Sequence, residues 1–242
     1  MIRIGPFDLG KKAAVVAVIL ESPFETSKKA AEMGADVLEI RLDLLGIRNL
    51  ETAAEIIRKV KSETELPIII TNRSLNEGGK WEGEEAERIG LIKDLLSFKD
   101  GPDAVDIELS ADRDPRDNAI KAAKTHGKTV IISAHDFSKT PSSQEMRETL
   151  EEAFLAGASI AKLAVMPHSM RDILDLLEVT LAAKEAGRKV CTIAMGNLGK
   201  HTRLIAPFYG SVLTYASIES TTSAAPGQLP VDELKKVMEL LE

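Results

Sequence analysis

The sequence predicts a (β/α)8 barrel. Eight strand-like apolar runs alternate with helix-like stretches along 242 residues, the helices stop at glycine just before the next strand, and no linker interrupts the alternation. That length suits a single barrel, so the whole chain from 1 to 242 is expected to form one domain.

The runs come in order. "AAVVAVIL" from Ala13 is the first strand; its eight residues are too few to span a bilayer, and the N-terminus lacks the pattern of a secretory signal. "DVLEIRLD" from Asp36, "LPIIITNR" from Leu66, "DAVDIELS" from Asp103 and "KTVIISAHD" from Lys128 are strands two to five. "SIAKLAVM" from Ser159, "KVCTIAMG" from Lys189 and "SVLTYAS" from Ser211 complete the set. The intervening "PFETSKKAAEMG", "NLETAAEIIRKVKSE", "EGEEAERIGLIKDLLSF", "PRDNAIKAAKTHG", "SSQEMRETLEEAFLAG" and "SMRDILDLLEVTLAAKEAG" read as helices. A short piece near "KHTRLIAPF" and the closing "PVDELKKVMELLE" follow. Gly34, Gly127, Gly157 and Gly187 punctuate helix ends.

Composition narrows the function. With 44% hydrophobic and 29% charged residues the chain carries enough apolar side chain for a large core and enough charge for a solvated exterior. A formal charge of -7 disfavours nucleic acid as a partner. Cys191 is the only cysteine, which excludes an intrachain disulfide and a thiolate metal cluster and suits a reducing compartment. No HExxH-like spacing occurs, which argues against a zinc mechanism, and no Walker or Rossmann signature marks a nucleotide site. No membrane association is expected either.

In such barrels, polar side chains at the C-terminal ends of strands serve the active site. Lys162 sits inside the apolar run "ASIAKLAVM", where an ammonium loses hydration with no partner in its own strand. Burial disfavours the charged form and leaves some amine free to attack a carbonyl, giving an imine whose protonated form withdraws electrons from the adjacent carbon. A lysine snorkelling outward is the plain alternative.

Schiff-base chemistry needs a proton carrier. His135 ends the fifth strand in "SAHD", on the same face as Ser133, and imidazole exchanges protons near neutrality. A hydrogen-bonding strand cap is the alternative for His135. His126, His168 and His201 read as surface residues.

Strand two places Glu39, Arg41 and Asp43 on one face; such charges must pair with each other, with a neighbouring strand or with a ligand. Arg73 ends strand three, and Glu77 leads a Gly-Gly loop able to carry it over the mouth. Asp106 and Glu108 form a same-face pair expected to orient the charges of strand two. Met195 fits either a pocket wall or the core. Arg203, past a glycine-rich turn, is placed to clamp a carboxylate. The loop "ESTTSAAPGQLP" suits a movable lid ending at Gln228.

Taken together, "EIRLD" (39–43), "TNR" and "NEGG" (71–79), "SAHDF" (133–137), "IAKLAVM" (160–166), "TIAMGNLGKHTR" (192–203), "GSVLTYAS" (210–217) and "APGQ" (225–228) resemble the type I 3-dehydroquinate dehydratase family across nearly the whole barrel. The resemblance implies a cofactor-free, commonly homodimeric, cytoplasmic (β/α)8 barrel that dehydrates 3-dehydroquinate to 3-dehydroshikimate in the shikimate pathway. It assigns the imine to Lys162, proton transfer to His135, and the tuning of that histidine to Glu77. Arg203 becomes the clamp on the substrate carboxylate, and Glu39, Arg41, Arg73 and Gln228 bind the ring hydroxyls and their surroundings. Met195 and Tyr215 match pocket-lining positions.

Two positions depart from the family pattern. Members read "SAPGQ" in the last loop; here "SAAPGQ" puts Ala224 at the serine position and Ser223 one residue early. Thr202 replaces the serine that often precedes the clamp arginine, and keeps its hydroxyl. Two rival readings start from the same residues. A class I aldolase would share the barrel lysine, but the chain lacks a convincing glycine-rich phosphate nest after strands seven and eight. A non-catalytic binding barrel would form no trappable imine.

Overall fold

In the computed structural model, which describes residues 2–218 and 224–241, eight parallel strands form one sheet that curls into a nearly closed barrel. The strands are β1 (Ala14–Ile19), β2 (Val37–Arg41), β3 (Ile68–Thr71), β4 (Ala104–Glu108), β5 (Thr129–Asp136), β6 (Ile160–Val165), β7 (Val190–Ala194) and β8 (Leu213–Ala216). Sequential strands pair from β1 through β7, and β8 pairs with β1. Between β7 and β8 the junction is thinner: Val212 N–H donates to Val190 O at 2.8 Å, and the Ser211 hydroxyl accepts from Thr192 N–H at 3.1 Å.

Each predicted run holds its strand, trimmed by at most two residues at either end where the chain leaves the sheet. The helices are α1 (Pro23–Glu32), α2 (Leu50–Thr64), α3 (Glu85–Leu95), α4 (Arg113–Thr125), α5 (Ser143–Ala156), α6 (Met170–Glu185), a single turn α7 (Gly196–Gly199), α8 (Thr202–Tyr209) and α9 (Val231–Leu241). Local chemistry starts several of them. Ser142 with Glu145 and Ser169 with Asp172 form reciprocal capping boxes at α5 and α6, which satisfy backbone N–H groups left without helical acceptors. Gly34, Gly127, Gly157 and Gly187 follow helix ends with φ of 90°, 65°, 112° and 71°, as the punctuation predicts. Among the described residues, no helix is long and apolar enough to cross a membrane.

Alternation along the strands divides the core in two. Outward side chains such as Leu38, Ile40, Ile68, Ile70, Val105 and Ile132 pack against the helices, where α2 brings Ala53, Ile56, Ile57 and Val60 at helical spacing. Inward side chains near the N-terminal ends, among them Val16, Val37, Ile69, Ala104, Ile131 and Ile160, fill the barrel interior. Toward the C-terminal ends, the inward positions turn polar and charged.

Two features depart from the sequence reading, and a third needs a local explanation. An antiparallel hairpin, Arg3–Ile4 with Phe7–Asp8, precedes β1 and buries Ile4 and Leu9 against the barrel interior. Its turn residue Gly5 has φ 55°, and a Cβ there would stand 2.9 Å from Pro67 Cβ, so the close approach requires glycine. Helix α4 starts at Arg113, before Pro115, because proline is harmless in a first turn whose N–H groups have no helical acceptor. Helix α8 contains Pro207, which cannot donate to the Arg203 carbonyl one turn back; the Thr214 hydroxyl on β8 donates to that oxygen instead, at 2.7 Å.

Candidate active site

The polar inward residues gather around a cavity of about 510 Å³, open mouth included, at the C-terminal end of the barrel. Glu39 and Arg41 come from β2, Arg73 from just past β3, Glu77 from the following loop, His135 from β5, Lys162 from β6 and Tyr215 from β8. Met195 follows β7, Arg203 lies in α8, and Ala224 and Gln228 belong to the last loop. Val18, Ala164, Ile193 and Phe137 supply the apolar wall. Every residue singled out as a site candidate in the sequence therefore lines one space. Ser223 lies outside the described residues. His126, His168 and His201 are exposed and away from the cavity.

Lys162 is buried, at 5% exposure, but it is not the unpartnered amine that its own strand suggests. Its Nζ donates to Asp106 Oδ2 at 2.8 Å, lies 3.7 Å from Glu39 Oε1 and sits 4.0 Å from the centre of the Tyr215 ring. The register explains the reach: Ser133 pairs with Lys162 across β5 and β6, and Glu108 with Ser133 across β4 and β5, so the inward faces of the three strands meet. Glu39 also accepts from the Thr71 hydroxyl at 2.8 Å.

Asp106 is the residue the sequence reading left out of the site. It was expected to orient the charges of strand two, yet Arg41 turns to its own near neighbour Asp43 through a two-point contact of 2.9 and 2.7 Å. Asp106 instead accepts from Arg73 Nη2 at 2.8 Å, from Ser133 Oγ at 2.6 Å and from Lys162. Desolvation opposes its charge, but Arg73 and Lys162 outweigh it and hold the Asp106 carboxyl below its ordinary range. The same trade raises Arg73: burial works against the guanidinium, and Asp106, Glu108 and Glu77 more than compensate. Glu108 is committed elsewhere, to Arg88 of α3 at 2.7 Å and to Ser74 N–H at 2.8 Å.

His135 Nδ1 lies 2.8 Å from Glu77 Oε2, and the Ser110 hydroxyl donates to the other Glu77 oxygen. Burial, reinforced by the Arg73 and Lys162 charges, holds the imidazole well below its ordinary value, so it is neutral at neutral pH. An ionised carboxylate only accepts, which places the ring proton on Nδ1 and leaves Nε2 as the lone-pair nitrogen. Glu77, itself buried, is raised by desolvation against the pull of Ser110 and Arg73. A 3-10 turn at Leu75–Glu77 delivers it, and Gly78 follows with φ 78° beneath the Phe137 ring, which also stacks on His135. Phe137 was missed because an aromatic in a loop carries no periodic signal.

Arg203 differs from the other buried arginines. Among the described residues no carboxylate pairs with it, and burial lowers it to about 10, still charged at neutral pH. Nε donates to Gly227 O at 2.8 Å, Nη2 to Pro226 O at 3.2 Å and Nη1 to Tyr215 O at 3.2 Å. Of the five N–H groups in a guanidinium, roughly two thus remain for a ligand. Gln228 Oε1 accepts from Ala224 N–H at 3.2 Å, holding the described limb of the loop to itself.

A family model for type I 3-dehydroquinase matches residues 14–242. The chain belongs to the type I 3-dehydroquinase family. Among its relatives, the 3-dehydroquinate dehydratase of Methanosarcina barkeri is 74% identical over the full length of both chains. The 3-dehydroquinate dehydratase of Methanocaldococcus jannaschii is 38% identical, over 94% of this chain and 97% of its own. Solved type I 3-dehydroquinase structures superpose closely. That of Clostridium difficile, crystallised with covalently modified comenic acid, gives a TM-score of 0.91 at 28% identity, covering 99% of this chain and 96% of its own. The Aquifex aeolicus 3-dehydroquinate dehydratase gives 0.82 at 35% identity, covering 93% and 98%.

Proposed function

We propose that the protein dehydrates 3-dehydroquinate to 3-dehydroshikimate through a Schiff base on Lys162. One observation carries the reading: a lysine nitrogen and a neutral histidine held by a carboxylate open into the same cavity at the C-terminal mouth of the barrel.

The chemistry follows from the side chains. The substrate C3 ketone condenses with Lys162, and the resulting iminium draws electrons from C2. His135, its Nδ1–H engaged by Glu77, takes the C2 proton on Nε2. The enamine expels the C1 hydroxyl, to which the imidazolium returns a proton, and hydrolysis of the product iminium frees Lys162. Arg203, a buried cation lacking a carboxylate among the described residues, receives the C1 carboxylate and keeps the leaving group aligned. Glu39, Arg41, Arg73 and Gln228 face the ring hydroxyls, while Met195 and the Tyr215 ring supply flat apolar contacts. The apolar wall limits water around the imine.

Borohydride reduction in the presence of 3-dehydroquinate tests this directly. It should inactivate the enzyme and leave one adduct per chain on Lys162, and Lys162→Ala should abolish trapping; EDTA should leave turnover intact. An adduct mapped by mass spectrometry to Lys184 or Lys200 would remove Lys162 from this role. As the family resemblance implies, the enzyme is read as a cytoplasmic homodimer, and light scattering that returned the mass of one chain would reject the dimer.

A further inference from the structure

We propose that Asp106 is the resident counter-ion of the Lys162 nitrogen, pairing with it as ammonium before condensation and as protonated iminium afterwards. The inference rests on the Schiff-base reading above and adds a catalytic residue to it.

Geometry sets Asp106 apart from the other carboxylates. Its Oδ1 is occupied by Arg73 Nη2 at 2.8 Å and Ser133 Oγ at 2.6 Å, so residues on two other sides of the barrel fix its plane. Its Oδ2 is aimed at Lys162 Nζ, 2.8 Å away. The residue is fully buried, so water does not substitute for it. Glu39, the other carboxylate facing Nζ, is 3.7 Å distant and has Oε1 already engaged by Thr71.

Proton bookkeeping then singles out the same contact. Condensation converts R–NH3+ and O=CR2 into R–NH+=CR2 and H2O: two N–H protons leave with the carbonyl oxygen, and the positive charge stays on nitrogen. Three donors become one. The carboxylate oxygen at hydrogen-bond distance from that nitrogen is Asp106 Oδ2. Charge is conserved through the step, so a fixed anion remains matched without reorganising. Asp106 is ill suited to take up the proton itself, because the Arg73 and Lys162 charges favour its ionised form. The other groups around Nζ leave the balance intact. His135 is neutral, the Tyr215 phenol and Cys191 thiol are held protonated by burial, and Lys162 and Arg73 together offset Glu39 and Asp106.

The test is the pH dependence of adduct trapping with cyanoborohydride, which reduces the protonated imine, using 3-dehydroshikimate and the full-length enzyme. Adduct per chain is read by intact mass. Losing an adjacent carboxylate favours the neutral imine, so Asp106→Asn should displace the alkaline limb of trapping to lower pH by about one to three units. Asp106→Glu, which keeps the charge, should reverse much of that displacement even where turnover stays low. An Asp106→Asn limb coincident with wild type, with only the amplitude reduced, would mean a structural role and overturn the proposal. Absence of any wild-type adduct would instead defeat the Schiff-base reading. Should Asp106→Asn fail to fold by circular dichroism, the wild-type Schiff base formed without cyanoborohydride decides. Its C=N stretch in alkaline buffer should move on exchange into D2O, and an unmoved band, the mark of an unprotonated imine, would overturn the assignment.

Discussion

Replacing Arg203 by lysine separates the carboxylate clamp from charge alone. Arg203→Lys keeps one positive charge in the cavity but removes the planar fork. In the structure that fork does two things. Its Nε and Nη2 hold the carbonyls of Gly227 and Pro226, in the limb of the loop that carries Ala224 and Gln228 into the cavity, its Nη1 holds Tyr215 O, and the roughly two N–H groups left over are the ones proposed to meet the carboxylate. A hydrogen bond to a charged group contributes about 1.5–3 kcal/mol. Losing one on the ligand side corresponds to roughly a 10- to 150-fold fall in kcat/KM at about 1.36 kcal/mol per decade. The ammonium's loss of the loop contacts adds to this. Because the clamp aligns the leaving hydroxyl as well as binding the substrate, both KM and kcat should suffer. Ala224→Ser, by contrast, supplies the hydroxyl that the family pattern expects there and offers one neutral donor, near a backbone N–H already held by Gln228. Its effect should stay below about tenfold, since a neutral hydrogen bond is worth about 0.5–1.5 kcal/mol and water can compete for the role. Steady-state kinetics with 3-dehydroquinate on both variants decides. If Ala224→Ser changes kcat/KM more than Arg203→Lys, the carboxylate does not sit on Arg203.

Four further outcomes follow from the same geometry. His135→Ala should lower kcat by roughly 10² to 10⁴ and let a covalent adduct accumulate, visible by intact mass; near-normal kcat would return His135 to a strand cap. Since burial and two nearby cations hold His135 below its ordinary 6.5, the base stays neutral as pH falls through that value. The acid limb of kcat/KM should therefore lie below 6.5, and a limb at or above it would show a different group titrating. The same depression costs stability in acid: the unfolded chain binds a proton that the folded one resists, so Tm should decline as pH drops below that value. Among the described residues the Tyr215 hydroxyl is buried without a partner while its ring covers Lys162 Nζ, so Tyr215→Phe should keep the ring contact and raise Tm, with kcat within a few-fold of wild type. A large loss of kcat would mean that the hydroxyl meets the substrate.

How far the sequence could be read depended on whether its signals were local. Strand alternation and helix-ending glycines are written in adjacent residues, and these placed all eight barrel strands. The Arg3–Ile4 and Phe7–Asp8 pair left no such trace, because two-residue strands show no period, and only the burial of Ile4 and Leu9 reveals their plugging role. Pro115 misleads for a related reason, since the predicted helix opened on it while α4 starts two residues earlier. Proline breaks a helix through one backbone hydrogen bond, and in a first turn that bond is not made. At the site, alternation within β2 and β5 identified which side chains point inward. It did not say which strand's carboxylate meets which strand's cation. Asp106 was visible as an inward acid, but its pairing with Arg73 and Lys162 rather than the strand-two charges is a matter of register and side-chain reach across 33 and 56 residues of chain.

That difference changes the account of the lysine. Read from its own strand, Lys162 is an amine made reactive by apolar surroundings. In the barrel it belongs to a layer in which Lys162 and Arg73 alternate with Glu39 and Asp106, all at 5% exposure or less. Such a layer is costly to desolvate, and one built only for stability would do as well with apolar side chains of similar volume. Its value lies in what it keeps constant. In the proposed reaction, condensation, elimination and hydrolysis place charge on the lysine nitrogen, withdraw it in the enamine and return it, while Glu39, Asp106 and Arg73 stay pinned by neighbours on adjacent strands. The mobile proton is confined to His135, the one group here that burial has made neutral and Glu77 has oriented. Fixed charges hold the electron sink and one neutral base moves the proton. The Schiff-base dehydration proposed above requires that division of labour, and the inward faces of β2 to β6 and the residues just past them are arranged to supply it.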